Sequence, residues 1–353
     1  MASFKFDICS VEEVDDLVKY IHENWSKNHI FCTSRDLLDW QHKSKCETYY
    51  NFIIARSTKS EDICGILGFI PTSHFSNDLE QYKEVWPVLW KVSEGPKYVG
   101  LGAALFNFLI REFAFKSIYS ISISKVSLPI YQMLGYKIGH FTQLAIVNSN
   151  IGNYCIAAID NNFKIPDLVT DKFYDLRIIK KMEVISELSD PGLYGRGRTP
   201  IKNVEYFVNR YIRHPVFSYR FLGVYRELKL CAFLVTRVVK YKQRSVIRVV
   251  DIQGDISSIT KITKLLHDIL VKENHEYIDI MQFGLPEKDY IKSGFVRADD
   301  SQNLIIPDYF QPFVKSNIDI LFARKLENNE NDIILFKGDG DQDRPNRVEV
   351  NIF

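Results

Sequence analysis

The chain has 353 residues, 46% of them hydrophobic and 25% charged, which is enough apolar material for two cores of ordinary size. Its 45 basic and 44 acidic residues nearly cancel, so it lacks the positive field of nucleic-acid-binding proteins. The start, "MASFKFDICS", has no apolar signal-peptide region, and no stretch reaches the ~18 uninterrupted apolar residues of a membrane helix. We therefore predict a cytoplasmic protein without nucleic-acid or membrane partners.

The six cysteines are scattered along the chain. They form no CxxC pair and no cluster with histidine at metal-ligand spacing. The sequence predicts reduced thiols and no bound metal.

The first half begins with a predicted pair of helices. Ser10 and Glu13 make a capping-box pattern before an apolar face that includes Ile21, and Ser34 caps a second, short helix. Three strand patterns follow, "YYNFIIARS", "ICGILGFIP" and "VWPVLWKV". Pro87 lies within the third strand and predicts an edge or a bulge there.

A pair of glycines, Gly100 and Gly102, stands directly before the next predicted helix. A Rossmann fingerprint needs a third glycine three residues later, and a Walker loop needs Gly-Lys-Ser/Thr; neither is present. A third type of turn, Arg/Gln-x-x-Gly-x-Gly/Ala, wraps a pyrophosphate with backbone N–H groups at a helix N-terminus. The stretch from Lys97 to Gly102 fits this turn, with lysine in the first place.

The second half repeats the order of the first after a polar loop, "DPGLYGRGRTPIKN". In "KDYIKSGFVRA", Tyr290 precedes Gly294 by the same spacing as Tyr131 precedes Gly135 in "PIYQMLGYKIG". We predict an internal duplication. The second copy lacks the phosphate turn, because Asp255 at its helix start would repel a pyrophosphate.

These features together resemble the GCN5-related N-acetyltransferase (GNAT) superfamily. The resemblance covers residues 1–150: the helix pair, the bulged strand at 85–92, the glycine turn, and "IYQMLGY", which is similar to the Tyr-x-x-x-Gly-Phe/Tyr signature of that family. It implies an α/β fold of two tandem GNAT-like domains, residues 1–150 and 151–353, each a mixed, mostly antiparallel twisted sheet flanked by helices. It also implies an acyl-coenzyme A-dependent N-acyltransferase.

The resemblance assigns roles to individual residues, with acyl-coenzyme A as co-substrate. Backbone groups of the bulged strand would pair with pantetheine, and an amide there would hold the oxyanion of the reacting thioester. Tyr131 would protonate the departing thiolate; its alternative role is a core tyrosine packed on the sheet. The residues implied in coenzyme A binding are Trp90, Lys91, Val92, Lys97, Tyr98, Val99, Gly100, Leu101, Gly102, Ala103 and Ser124, the last standing near a position where the family often has asparagine.

The C-terminal stretch "GDGDQDRPN" places Asp339, Asp341 and Asp343 at alternate positions before Arg344. A calcium loop would need glycine at Arg344 and glutamate at Val350, so the stretch departs from that motif and we expect no calcium there. One alternative is a solvated tail. If the tail is ordered, the three aspartates and Arg344 would line the acceptor site, and Asp341 would take the proton of the amine.

This tail is similar to that of tandem GNAT-fold acyltransferases of bacterial surface-polysaccharide (O-antigen) pathways. That resemblance implies transfer of an acetyl or 3-hydroxybutanoyl group to the amine of a nucleotide-linked (dTDP) amino-dideoxy sugar. A peptide or lipid amine is the alternative acceptor. A binding module without catalysis is a further alternative, because a fold does not establish an activity. The sequence gives no oligomeric state.

Overall fold

The structure is a computed structural model that describes residues 4–160, 163–195, 198–299, 304–308, 314–327 and 333–345. The first half contains the strands β1 Phe4–Ser10, β2 Tyr49–Ser57, β3 Ile63–Pro71, β4 Glu84–Val92, β5 Ser117–Ile121, β6 Lys137–His140 and β7 Thr142–Val147. Its helices are α1 Val14–Asn24, α2 Ile30–Thr33, α3 Arg35–His42, α4 Leu101–Phe113 and α5 Leu128–Met133.

The second half continues this series of elements. Its strands are β8 Ala158–Ile159, β9 Tyr174–Ile179, β10 Arg220–Arg226, β11 Lys229–Tyr241, β12 Arg244–Gly254, β13 Tyr277–Phe283, β14 Val296–Arg297, β15 Leu304–Ile305, β16 Leu321–Lys325 and β17 Leu335–Phe336. Its helices are α6 Val184–Leu188, α7 Val204–Phe207, α8 Thr263–Glu273 and α9 Glu287–Lys292.

The predicted helix starts in the first half are confirmed. The Ser10 amide donates to the Glu13 carboxylate at 2.9 Å, and the Leu37 amide donates to Ser34 Oγ at 3.3 Å. Regular α-helix begins only at Val14, after a short 3-10 turn. The strand before it, β1, was not predicted, although Phe4, Phe6 and Ile8 alternate with polar residues in the period-two pattern of a half-buried strand.

The two large sheets have the same strand order. The first is β1-β2-β3-β4-β5-β16-β6, and the second is β9-β10-β11-β12-β13-β7-β14 with β17 attached to β13. In each sheet the fourth and fifth strands are parallel, β4 with β5 and β12 with β13, and the other neighbours on these paths are antiparallel. The architecture therefore repeats as the duplicated sequence pattern predicts.

The two sheets exchange their sixth strand. β7 comes from the first half of the chain but lies between β13 and β14, and β16 comes from the second half but lies between β5 and β6. A cluster of buried apolar side chains also takes members from both sheets, among them Trp86 of β4 and Phe233 of β11. The halves are thus joined by backbone pairing and by core packing, while the division into domains at residue 150 stays a prediction.

Within the described ranges, none of the helices has the length and apolarity needed to cross a bilayer.

Candidate active site

The parallel strands β4 and β5 are paired only where they begin. Glu84 faces Ser117 and Val85 faces Ile118, and these are the pairs that join the two strands. Beyond Val85 the strands separate, and no strand of the described residues lies beside this edge of β4.

A bulge lies in β4 at this point of separation. Phe69 on β3 faces Pro87, but Leu67, two residues earlier, faces Trp90, so β4 holds one more residue than β3 in this interval. Such an extra residue bends its strand and increases the local twist. The bulge predicted from Pro87 is confirmed.

A cavity of about 620 Å³ occupies the opening between β4 and β5. Its walls are the second part of β4, the end of β5 and the segment that leads into α5. Of the residues predicted from the sequence, it is lined by Trp90, Lys91, Val92, Tyr98, Gly102, Ser124 and Tyr131.

The rest of the predicted turn lies beside this cavity. A neighbouring cavity of about 540 Å³ is lined by Lys97, Val99, Gly100 and Leu101, and Ala103 follows in the first turn of α4. The glycine turn therefore stands between two cavities, with Tyr98 and Gly102 facing the larger one.

The two glycines serve different geometric needs. Gly100 caps α4 with φ of +83°, a left-handed conformation that favours glycine, and a Cβ there would meet no atom within 4 Å. At Gly102 a Cβ would lie 3.4 Å from the Trp90 ring, so glycine lets the start of α4 approach β4. The first N–H groups of a helix have no acceptor within it, and here they follow the turn directly.

Tyr131 lies in the wall of the larger cavity with its hydroxyl 2.6 Å from Ser120 Oγ on β5. Its ring packs edge-on against Trp90 and Phe106, at centroid distances of 5.7 and 5.4 Å. Burial raises the pKa of Tyr131 above the usual tyrosine value, and the hydrogen bond with Ser120 offsets only part of that rise. The phenol therefore keeps its proton at neutral pH and can donate it.

Ser120 was not singled out from the sequence. It belongs to the alternating "SIYSISIS" stretch, in which only the polar members of a strand can meet a polar group. The pattern indicates a polar side of β5, but it does not say which serine meets the tyrosine of α5.

The predicted acceptor residues of the C-terminal segment are buried ion-pair partners. Lys202 Nζ lies 2.7 Å from Asp339, Arg344 Nη2 lies 3.0 Å from Asp341, and Arg210 pairs with Asp343. The side chains of these three aspartates are at most 3% exposed, so the solvated-tail alternative is wrong for residues 333–345. The end of the motif at residue 346 lies outside the described residues.

The structure does not bring Asp341 to Tyr131. Neither the three aspartates nor Arg344 lines the cavity between β4 and β5. Asp341 accepts from Arg344 with one oxygen and from the side-chain amide of Gln342 at 2.7 Å with the other, so both of its oxygens already have donors. The predicted proton-accepting role of Asp341 has no support in this geometry.

The C-terminal segment fills the equivalent opening of the second sheet. The last parallel pair of β12 and β13 joins Val249 and Ile280. Beyond it, β17 pairs with β13, and the Gly338 amide donates to the Val250 carbonyl of β12 at 2.7 Å. The chain itself therefore occupies the space that remains a cavity in the first sheet.

The second copy also differs at the positions of the turn and the tyrosine. The Asp255 side chain accepts from the Ser257 amide at 2.9 Å and caps a 3-10 turn, Ile256–Lys261. The prediction that Asp255 stands at the helix start is therefore wrong, because α8 begins only at Thr263, after Ile262, and has no glycine pair there. Tyr290 is fully buried, and its hydroxyl donates to the Ile256 carbonyl at 2.8 Å. The geometry of the second copy is that of a packed core.

Replacing Gly338 with alanine should destabilise the protein by about 1 to 3 kcal/mol, the usual cost of overpacking. A Cβ at this position would lie 2.4 Å from the Val250 carbonyl oxygen and 2.7 Å from the Tyr211 hydroxyl. Unfolding in denaturant measures the change, with Gly195→Ala as control, because a Cβ there meets nothing within 4 Å. Equal stability of both variants would contradict the tight insertion of the segment.

Replacing Lys202 with methionine should lower the free energy of unfolding by about 3 to 5 kcal/mol. Its ammonium lies 2.8 Å from Asp251 and 2.7 Å from Asp339, and its removal leaves both carboxylates buried without their cation. Lys180→Met is the matched control, because the Lys180–Glu183 pair is exposed and should be worth less than about 1 kcal/mol. A similar loss in both variants would show that the buried network contributes nothing specific.

Comparison with known proteins identifies the fold. No protein-family model matches the chain, and no curated protein matches it by sequence. A GCN5-related N-acetyltransferase from Anabaena variabilis superposes with a TM-score of 0.53 at 10% identity, over 92% of this chain and 73% of that one. A conserved protein of unknown function from Enterococcus faecalis, described as a probable N-acyltransferase, gives 0.53 at 8% identity over 92% and 73%. The chain has the GNAT fold, as the sequence resemblance implies.

Proposed function

We propose that this chain is an N-acyltransferase that transfers an acyl group from acyl-coenzyme A to an amine. One observation carries the proposal: a single cavity, open between β4 and β5, extends from Gly102 of the glycine turn to the hydroxyl-bearing wall at Tyr131. It therefore joins a place suited to a pyrophosphate with a proton donor. The shared fold supports this function, but a fold alone does not establish an activity, so the residues of the site are decisive.

The donor would bind along β4. The pyrophosphate would meet the N–H groups that follow Gly100, where the dipole of the 13-residue helix α4 favours negative charge. Pantetheine would lie in the opening, where the edge of β4 beyond Val85 is not paired with any strand in the described part of the chain. Backbone groups of Trp90, Lys91 and Val92 on that edge would pair with its amides, as in an added strand.

The chemistry would be a direct attack of the amine on the thioester carbon. A β4 amide would hold the developing oxyanion, an interaction worth about 3 kcal/mol when preorganised. Tyr131 would protonate the departing thiolate, since its phenol carries a proton at neutral pH.

The acceptor we propose is the amine of a nucleotide-linked amino sugar, with an acetyl or 3-hydroxybutanoyl donor. The support is the sequence resemblance of the tail, whose carboxylates are buried in ion pairs. A Cβ on Gly340 would lie 3.6 Å from Val88, a residue of the cavity wall, so the tail supports that wall from behind. Turnover of a dTDP-linked amino sugar but not of peptide or lipid amines would establish this acceptor, and the reverse preference would exclude it.

Calorimetric titration should find one site for coenzyme A and for acetyl-coenzyme A per chain, because the second opening is filled by β17. The double variant Gly100→Asp/Gly102→Asp should abolish this binding, since carboxylates would then face the pyrophosphate. Gly152→Asp is the control, as Gly152 is exposed with open space around it. Absence of binding by the unmodified protein would favour a binding module of another kind, and two sites would contradict the filled second opening.

Tyr131→Phe should lower turnover about 10²- to 10⁴-fold and leave the dissociation constant of acetyl-coenzyme A unchanged, because only proton donation is lost. Tyr136→Phe is the matched control: its ring lies 5.3 Å from that of Tyr131, and its buried hydroxyl has no hydrogen-bond partner in the described part of the chain. Steady-state release of the coenzyme A thiol gives both rates. Unchanged turnover of Tyr131→Phe would leave Tyr131 as a core tyrosine.

A further inference from the structure

Acyl transfer to an amine requires a proton to leave the nitrogen and another to reach the sulfur. Asp341, the residue expected to take the first proton, does not line the cavity. Among the described residues that do, the only carboxylate is Glu94, which is 94% exposed and lies 3.7 Å from Lys91. The buried part of the cavity wall therefore offers hydroxyl groups in place of a charged base.

We propose that Ser120 and Tyr131 act as one proton relay, an inference that rests on the proposed acyltransferase function. As the nitrogen bonds to the thioester carbon and the carbon–sulfur bond breaks, the nitrogen's proton passes to Ser120 Oγ. The proton of Ser120 passes to the Tyr131 oxygen, and the proton of Tyr131 passes to the sulfur. Each hydroxyl ends with one proton, as it began.

The contact between the two hydroxyls suits this exchange. Their oxygens lie 2.6 Å apart, at the short end of O–H···O hydrogen bonds, and either can donate. In the relay arrangement Ser120 donates to Tyr131, which leaves the phenol proton free to point at the sulfur. Both side chains are 2% exposed, and the Trp90 and Phe106 rings hold the phenol in place.

A relay also avoids leaving a charge in a buried place. If Tyr131 alone gave up its proton, the result would be a tyrosinate next to apolar rings, and isolated buried ions are costly. When Ser120 supplies a proton as Tyr131 loses one, no ion forms on the protein. The burial that raises the pKa of Tyr131 thus favours coupled proton transfer over stepwise ionisation of the phenol.

The second copy shows what a tyrosine without a relay looks like. Tyr290 donates to the Ile256 carbonyl, which has no proton to return. Its hydroxyl is therefore a structural donor, whereas Tyr131 faces another hydroxyl.

The test compares Ser120→Ala and Ser120→Thr with the unmodified protein, using acetyl-coenzyme A and hydroxylamine as the acceptor and measuring thiol release. Ser120→Ala should lower kcat at least ~10²-fold, the usual contribution of one proton-transfer group, with unchanged acetyl-coenzyme A binding. Ser120→Thr should restore most of the rate. Ser127→Ala is the control, since Ser127 lines the same cavity but its side-chain hydroxyl bonds, among the described residues, only to Ser124.

Two further readouts separate a relay from mere positioning of Tyr131. The double variant Ser120→Ala/Tyr131→Phe should be no slower than Tyr131→Phe, because a broken relay is not broken further. The second readout is the rate in mixtures of light and heavy water. For the unmodified protein, the plot of rate against deuterium fraction should be curved, as expected when several protons move. For Ser120→Ala, the same plot should be a straight line.

Each outcome bears on one of the two proposals. Turnover of Ser120→Ala within a factor of about two of the unmodified rate, or curvature that persists in it, would overturn the relay and leave the acyltransferase intact. Acetyl-coenzyme A binding without thiol release to hydroxylamine would also overturn it, since the relay serves any small protic nucleophile. Absence of both binding and release would instead defeat the proposed function.

Discussion

The separation of β4 from β5 beyond Val85 is the constraint on which the site depends. Parallel strands in a sheet normally stay about 4.8 Å apart and leave no room between them. Here the bulge next to Pro87 bends β4, and a cavity opens along its free edge. Everything placed in that cavity, from the glycine turn to the Tyr131–Ser120 pair, is brought together by this one departure from regular pairing.

The second sheet shows the same departure with the opposite result. β12 and β13 also separate after a few parallel pairs, but β17 and Gly338 bond to both of them and restore the missing pairing with the chain's own backbone. One opening therefore holds a cavity and the other holds protein. This difference, more than the difference in turn residues, makes the two copies chemically unequal.

The ion pairs of the C-terminal segment link this filling to the first sheet. Transferring charged groups from water into the protein interior costs free energy. A close partner of opposite charge offsets that cost only when the geometry of the ion pair is good. Lys202 meets Asp251 and Asp339, while Arg344 continues to Gln41 in the first half at 3.1 Å. The C-terminal segment thus links both halves of the chain behind the cavity wall. This is a structural role for residues whose sequence pattern predicted substrate binding.

Much of the site was readable in the sequence because it depends on local rules. Gly100 needs a left-handed backbone, Pro87 disturbs a strand, and a tyrosine four residues before a glycine marks the end of a short helix. Most of the strand and helix order and the repeat follow from such patterns, and the GNAT fold follows from the family resemblance that these residues carry. Residue periodicity is a short-range property, so one sequence is sufficient to show it.

What the sequence left undecided are the contacts between residues far apart along the chain. Whether Asp341 faces a substrate or Arg344, whether β7 pairs with its own half or the other, and which serine meets Tyr131 are set by burial and by the topology of the sheets. A row of aspartates in the sequence is the same whether it lies in a solvated tail or in buried ion pairs, because the sequence does not show which residues pair with them. The sequence by itself determined most of the elements and the glycine turn. Only the tertiary structure decided which of the two equivalent openings stays a cavity, because that depends on where the distant C-terminal segment finds its hydrogen bonds.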